Sequence, residues 1–192
     1  MIGGQGSWND VKIYNPGLNE WKTAASMGTG RAGHSAVVLQ EHIYVMAGDD
    51  GNVCQNSVEC YNPLTDQWSR ILNLSKARRY AAVATVCEKI FTVGGFGDND
   101  RDIIEPSCEV YHPNTNQWNL VSSPGIPRAA CSAVSLNGIV YLFGGESETD
   151  NFVKAVECFD IKTNKWYTIE GMPNPRSYLQ ASLLKLPKTF TQ

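Results

Sequence analysis

YNPLTDQWSRILNLSKARRYAAVATVCEKIFTVGG, residues 61–95, is the stretch that decides the fold. It contains a Tyr61-Asn62-Pro63 turn, then Trp68, Arg78 and the glycine pair Gly94-Gly95. Outward from it the same marks return. Trp21, Trp68, Trp118 and Trp166 are spaced by 47, 50 and 48 residues. Seven residues before each stands Tyr14, Tyr61, Tyr111 or Phe159, and ten after each stands Arg31, Arg78, Arg128 or Arg176. The small pair recurs as Gly3-Gly4, Ala47-Gly48, Gly94-Gly95 and Gly144-Gly145. A register of this kind means one supersecondary unit repeated along the chain, each copy stacking on the next.

The spacing that varies is as informative as the spacing that holds. From tryptophan to the following glycine pair the distance is constant, but from the second glycine to the next aromatic it runs 10, 13, 16 and 14 residues. Insertions therefore collect in one connection, a surface loop, while packing fixes the rest of each unit. The loops at issue are 49–56, 96–106 and 146–154. Within a unit the pattern is that of strands. His34–Leu39 and Ala81–Val86 read as crowded inner strands of small and β-branched residues. Tight turns lead into apolar second strands such as Ile43–Met46 and Ile139–Phe143, apolar enough to be covered on both faces. A third strand, Ser57–Tyr61, and a fourth centred on the tryptophan complete a four-stranded antiparallel unit. The chain is expected to be all-β and a single domain over 1–192, with repeats at about 1–30, 31–77, 78–127 and 128–175 and a final inner strand at 176–186.

Composition narrows the function classes. A net charge of −3 lacks the basic field that general nucleic-acid or acidic-membrane binding needs, and no apolar run approaches a membrane span. The first residues lead straight into repeat sequence without a charged and apolar leader. Cys60 and Cys158 occupy a repeat position held elsewhere by Ile13 and Val110, so they read as small core residues, and no Cys-x-x-Cys pair points to zinc or a redox dithiol. These features favour a reduced, cytoplasmic protein with no cofactor.

Glycine pair, aromatic-x-Pro, Trp and Arg at a period near 50 resemble the kelch repeat, and the likeness runs from Ile2 to about Leu186. The departures are Ala47 for a first glycine and Phe159-Asp160-Ile161 for Tyr-x-Pro. The resemblance implies a β-propeller of four-stranded blades. Three whole blades lie between Arg31 and Trp166, with a split blade shared between the start of the chain and Tyr178–Leu184. Two readings stand: part of a six-bladed propeller, or a four-bladed ring closed by Tyr178–Leu184 beside Ile2–Gly4. Exposed edges favour the first. The resemblance also implies protein–protein interaction. Tyr61-Asn62-Pro63 and Ala24-Ala25-Ser26-Met27 look similar to the kelch-like adaptors, which present substrates to cullin-based ubiquitin ligases through a BTB region absent from this sequence. An actin-binding scaffold is the alternative. Some kelch propellers are copper oxidases or sugar epimerases, but His34, His42 and His112 hold three unrelated repeat positions, and neither a metal centre nor an acid/base pair can be assembled from them.

Residues common to all repeats read as scaffold: the four register tryptophans, Arg31, Arg78, Arg128 and Arg176 as pins between blades, and Gly4, Gly48, Gly95 and Gly145. Residues that differ between repeats read as recognition. Two positions past each arginine come Gly33, Tyr80, Ala130 and Tyr178, at the start of the inner strand near the channel rim. With the variable loops they point to Arg79, Tyr80, Tyr178, Asp49, Asp50, Asn52, Phe96, Asp98, Arg101, Glu146 and Glu148 as partner-binding residues. Trp8, outside the register, is either a partner contact or local packing. The loop carboxylates also admit a calcium reading, although their spacing matches no EF-hand. Repeat arginines forming an anion-binding ring are the alternative to their role as pins.

Overall fold

A computed structural model describes residues 1–97, 103–149 and 151–184. All of the regular structure is β. A two-stranded ribbon, β1 (Val11–Asn15) and β2 (Glu20–Ala24), comes first. Three antiparallel four-stranded sheets follow, each meandering from inner to outer strand. The first holds β3 (Ser35–Leu39), β4 (His42–Met46), β5 (Val58–Asn62) and β6 (Gln67–Ile71). The short strand β7 (Arg78–Arg79) precedes the second sheet, which holds β8 (Ala82–Val86), β9 (Lys89–Val93), β11 (Cys108–His112) and β12 (Gln117–Val121). Between β9 and β11 the short β10 (Phe96–Gly97) turns back to pair with β7. The third holds β13 (Ser132–Leu136), β14 (Ile139–Phe143), β15 (Val156–Asp160) and β16 (Lys165–Ile169). These are the blades of a kelch-type propeller.

Turn chemistry fixes the register within each blade. Gln40-Glu41, Cys87-Glu88 and Asn137-Gly138 have positive φ at both residues, the backbone of a two-residue hairpin matched to strand twist. Second strands β4 and β9 are buried along most of their length, as their mostly apolar sequence requires. Side chains of successive sheets form the core between blades. Phe91 of one blade stacks on Phe159 of the next at 4.9 Å between centroids, both fully buried.

Three tiers of hydrogen bonds stitch blade to blade. At the outside, the indole N–H of Trp68, Trp118 and Trp166 donates to the carbonyls of Ala25, Leu72 and Ser122 in the connection that leaves the preceding blade, at 2.7–2.9 Å. In the middle, the amides of Gly4, Gly48, Gly95 and Gly145 donate to the carbonyls of Arg31, Arg78, Arg128 and Arg176. Close approach at both positions explains the small pair: a Cβ at Gly94 or Gly144 would run into the interblade carbonyl of Arg128 or Arg176, and the second glycine meets a carbonyl of its own blade. A Cβ at Gly48, Gly95 or Gly145 would come within 2.5–2.7 Å of the carbonyl of Ala32, Arg79 or Ala129, and φ is +87 to +102 there. The innermost tier is at the channel rim and belongs to the site.

Arg31, Arg78 and Arg128 are pins within the blade that each one opens and not, as expected, between blades, because their acceptors lie on and beside that blade's own second and third strands. Arg31 is fully buried and donates to Ala47 O (2.9 Å), Ser57 O (3.0 Å), Ser57 Oγ (3.0 Å) and Glu59 Oε1 (2.7 Å). Glu59 in turn accepts from the amides of Gly28 and Thr29, which ties down the connection arriving from the previous blade. Arg78 with Glu109, and Arg128 with Glu157, repeat the arrangement. The guanidinium groups are thus consumed by their own blades, and no anion-binding ring forms.

Four expectations are corrected. Arg176 is exposed, and no side-chain bond holds it, because among the described residues no second and third strands follow to supply a carboxylate. Trp21 is 59% exposed with its ring beside Tyr14, since among the described residues no blade lies against its outer side. Residues 178–184 carry no strand: with no second strand beside them, only scattered bonds such as Ala181 N to Ser132 Oγ hold them. Ile2 contributes one bridge, to Val11, rather than a strand. Among the described residues no backbone bond joins 178–184 to 2–4, so the closed four-bladed ring is not formed and the blades make an open arc.

Candidate partner-binding site

The site begins with a backbone feature. Gly33, Tyr80, Ala130 and Tyr178 all lie in the left-handed region, at φ 58, 53, 50 and 50. That conformation turns the chain from the interblade connection into the inner strand. For a non-glycine residue it costs ~1–2 kcal/mol, so something must hold it. A chain of interblade bonds does: Tyr80 N to Gly33 O (2.7 Å), Ala130 N to Tyr80 O (2.9 Å) and Tyr178 N to Ala130 O (2.8 Å). The rim is therefore tied backbone to backbone, and side chains at these positions project from one hydrogen-bonded arc.

Two of the four are tyrosines, and they meet. The rings of Tyr80 and Tyr178 lie edge to face at 5.4 Å, and Phe96 stands edge-on to Tyr80 at 6.2 Å. Gly33 makes room for this group, because a Cβ there would come within 3.0 Å of the Tyr80 ring. Beside the aromatics opens a cavity of about 510 Å³, walled by Asp49, Arg79, Ile104, Glu146, Ser147, Glu148 and Asn151 as well as the three rings. Tyr178 remains 61% exposed, so the aromatic surface is presented to solvent. The Arg79 guanidinium is nearly buried and lies 3.9 Å from the Asp49 carboxylate, a loose pairing.

Seven of the residues expected from sequence thus converge: Arg79, Tyr80, Tyr178, Asp49, Phe96, Glu146 and Glu148. Asp50 and Asn52 do not line the cavity. Asp50 closes its own loop by accepting from the amides of Asn52 and Val53, bonds that hold its carboxyl below the usual carboxylate range. Trp8 is packed locally, with its ring against Gly51 and its Cβ against Gly30. Asp98 and Arg101 lie outside the described residues. Ile104, Ser147 and Asn151 were not singled out by sequence; they fall within the variable loops but hold no repeat register.

His34 lines a second cleft of about 390 Å³, against the small residues of the inner strands. Burial, and then the nearby Arg31 charge, push its imidazole pKa below the usual value, so it is neutral near pH 7. His42 Nδ1 is engaged by Gln40 O in its turn. Among the described residues no three His, Cys, Asp or Glu side chains come close enough to hold a metal ion, so the calcium reading gains no support.

Blades, buried Arg–Glu pins and glycine-pair contacts define a kelch-repeat protein. The kelch motif matches residues 30–74, 77–125 and 127–173, most of the chain, and the chain belongs to that family. It is similar to Kelch-like protein 35 of Mus musculus, at 30% identity over 91% of this chain and 29% of that protein. Kelch-like protein 25 of Homo sapiens is 32% identical over 92% of this chain and 31% of its own length. Alpha-scruin of Limulus polyphemus is 26% identical over 91% and 20% respectively. The chain thus spans less than a third of the length of these relatives. Among solved structures, YjhT superposes with a TM-score of 0.71 at 19% identity, covering 82% of this chain and 57% of that one. No disulfide joins any of the six cysteines, and among the described residues no helix is long and apolar enough to cross a membrane.

Proposed function

We propose that this chain is a protein-recognition module whose loop face grips a segment of another protein in the Tyr80–Tyr178–Phe96 cavity. The observation that carries the reading is convergence. Residues that differ from blade to blade, drawn from three repeats and the segment that follows them, line one cavity on the rim, whereas the shared residues of the three complete blades are consumed by packing. Tyrosine and arginine supply large contact area and charge-assisted bonds at modest entropy cost, the composition typical of binding hot spots. No catalytic step is assigned to it.

The likeness to the Kelch-like proteins supports a finer reading, that the propeller selects substrates for a cullin-based ubiquitin ligase, acting through a region outside this sequence and in the cytoplasm. A second reading, an actin-binding kelch scaffold, is favoured by the likeness to alpha-scruin along most of the chain. Affinity capture from cell extract, compared between the wild type and Tyr80→Ala and Tyr178→Ala variants, tests the module. Each substitution should weaken retention of the specific partner by ~1 kcal/mol or more without unfolding the domain. Retention indifferent to both would contradict the site. Cosedimentation with filamentous actin separates the two finer readings: pelleting that needs the rim tyrosines favours the scaffold, and none favours the adaptor.

A further inference from the structure

The rim cavity has a definite charge. Among the described residues Asp49, Glu146 and Glu148 line it together with the aromatic rings, against one cation, Arg79. Among the described residues of the three variable loops, 49–56, 96–106 and 146–154, stand five Asp and Glu but one Lys, whereas the whole chain carries a net −3. The loop face is therefore more acidic than the protein as a whole. An acidic partner segment would be repelled, and a basic one drawn in.

Arg79 narrows the choice further. Its side chain is about nine-tenths buried in the cavity wall, and its Nη2 has no hydrogen-bond partner among the described residues. A buried donor left open is costly, so the occupant should bring an acceptor. A bare metal ion brings none, and a ligand carboxylate would face three others. A main-chain carbonyl satisfies the donor without adding negative charge. The aromatic faces, meanwhile, suit a cation. Next to the cavity, and sharing Ile104, Ser147 and Glu148 with it, lies a cleft of about 360 Å³ walled by Pro106, Ile126 and Pro127. It offers an apolar side chain a place beside the charged one.

We infer that the loop face takes an extended peptide segment carrying a basic residue next to an aliphatic one. The basic side chain lies among Asp49, Glu146, Glu148 and the rims of Tyr80 and Tyr178. A neighbouring carbonyl accepts from Arg79, and the aliphatic side chain enters the cleft between Ile104 and Ile126. This rests on the recognition role proposed above and adds its chemical class.

The test is selection from a displayed library of random heptapeptides on three purified forms: wild type, the Glu146→Gln/Glu148→Gln double variant, and the Tyr80→Ala/Tyr178→Ala double variant. Matched melting temperatures should establish that all three are folded. The wild type should enrich Lys or Arg beside Ile, Leu or Val, with binding of the selected peptides weakening as salt rises. The glutamine variant should lose that preference about tenfold, since two of three carboxylates lose their charge. Enrichment of acidic or neutral motifs that still need the tyrosines would overturn the basic-segment inference while leaving the recognition site intact. Enrichment independent of both variants, or none at all, would overturn both.

Discussion

Arg31 and Arg176 hold the same place in the repeat, yet exchange for methionine should affect them very differently. Arg31 is fully buried, and Glu59, its partner, is 2% exposed. Arg31→Met keeps most of the apolar stem but removes the only cation bonded to that carboxylate among the described residues, and it strands the carbonyl of Ala47 and leaves Ser57 O with its bond from the Ala47 amide. Breaking a buried pair from one side costs about 3–5 kcal/mol. Glu59 retains its bonds from Gly28 and Thr29, so the lower end, about 3 kcal/mol, is expected. For a chain of 192 residues that corresponds to a fall in melting temperature of about 6–12 °C. Arg176→Met removes an exposed side chain and should stay within about 0.5 kcal/mol, or under ~2 °C. Thermal and urea unfolding of both variants measure the difference. Replacing both partners, Arg31→Met with Glu59→Leu, should recover part of the loss, because no uncompensated buried charge remains. Equal shifts for Arg31→Met and Arg176→Met would refute the reasoning, as would a double variant no more stable than Arg31→Met alone.

Ala47→Gly should stabilise the chain by about 1 kcal/mol, raising the melting temperature by ~2–4 °C, because Ala47 is held at φ 64 where its sister repeats have glycine. A lower melting temperature would count against strain at that position. His34 has a folded pKa below its ordinary value of about 6.5, so the unfolded chain binds its proton first, and stability should fall as the pH drops below ~6.5. His34→Asn should flatten melting temperature against pH between ~7 and 5, and an unchanged slope would show that other groups dominate. Under native conditions iodoacetamide should modify the exposed Cys87 well before Cys108 and Cys131, whose thiols burial pushes up, Cys131 to about 12. Peptide mapping that finds Cys131 labelled first would contradict the packing of the inner strands.

The scaffold was legible because packing forbids change in its spacing. Trp68, Arg78 and Gly95 keep fixed separations since each meets a set partner, so their recurrence revealed the repeat with its strands and turns, and the resemblance to the kelch repeat made those units blades. The same marks misled at the ends. Trp21 and Arg176 look identical to their counterparts in sequence, but the cover of such a tryptophan comes from the preceding blade and the partners of such an arginine from later strands of its own, and no mark on either residue records whether those strands are among the described residues. The site was legible where it uses the register. Tyr80 and Tyr178 stand two residues past an arginine, and that offset places them on the rim. Ile104 and Asn151 escaped notice because they sit in insertions of unequal length, where position in the chain no longer maps onto position in space. Trp8, conspicuous by its type, packs on Gly30 and Gly51.

The claim that recognition occurs on the loop face is tested most directly by hydrogen exchange on the complex with the captured partner. Binding there should slow exchange at 49–56, 78–80, 146–149 and 177–179 and leave the turns at the other end of the blades, 40–41, 63–66 and 113–116, unchanged. Protection confined to those turns, with the rim exchanging as in the unbound chain, would contradict it.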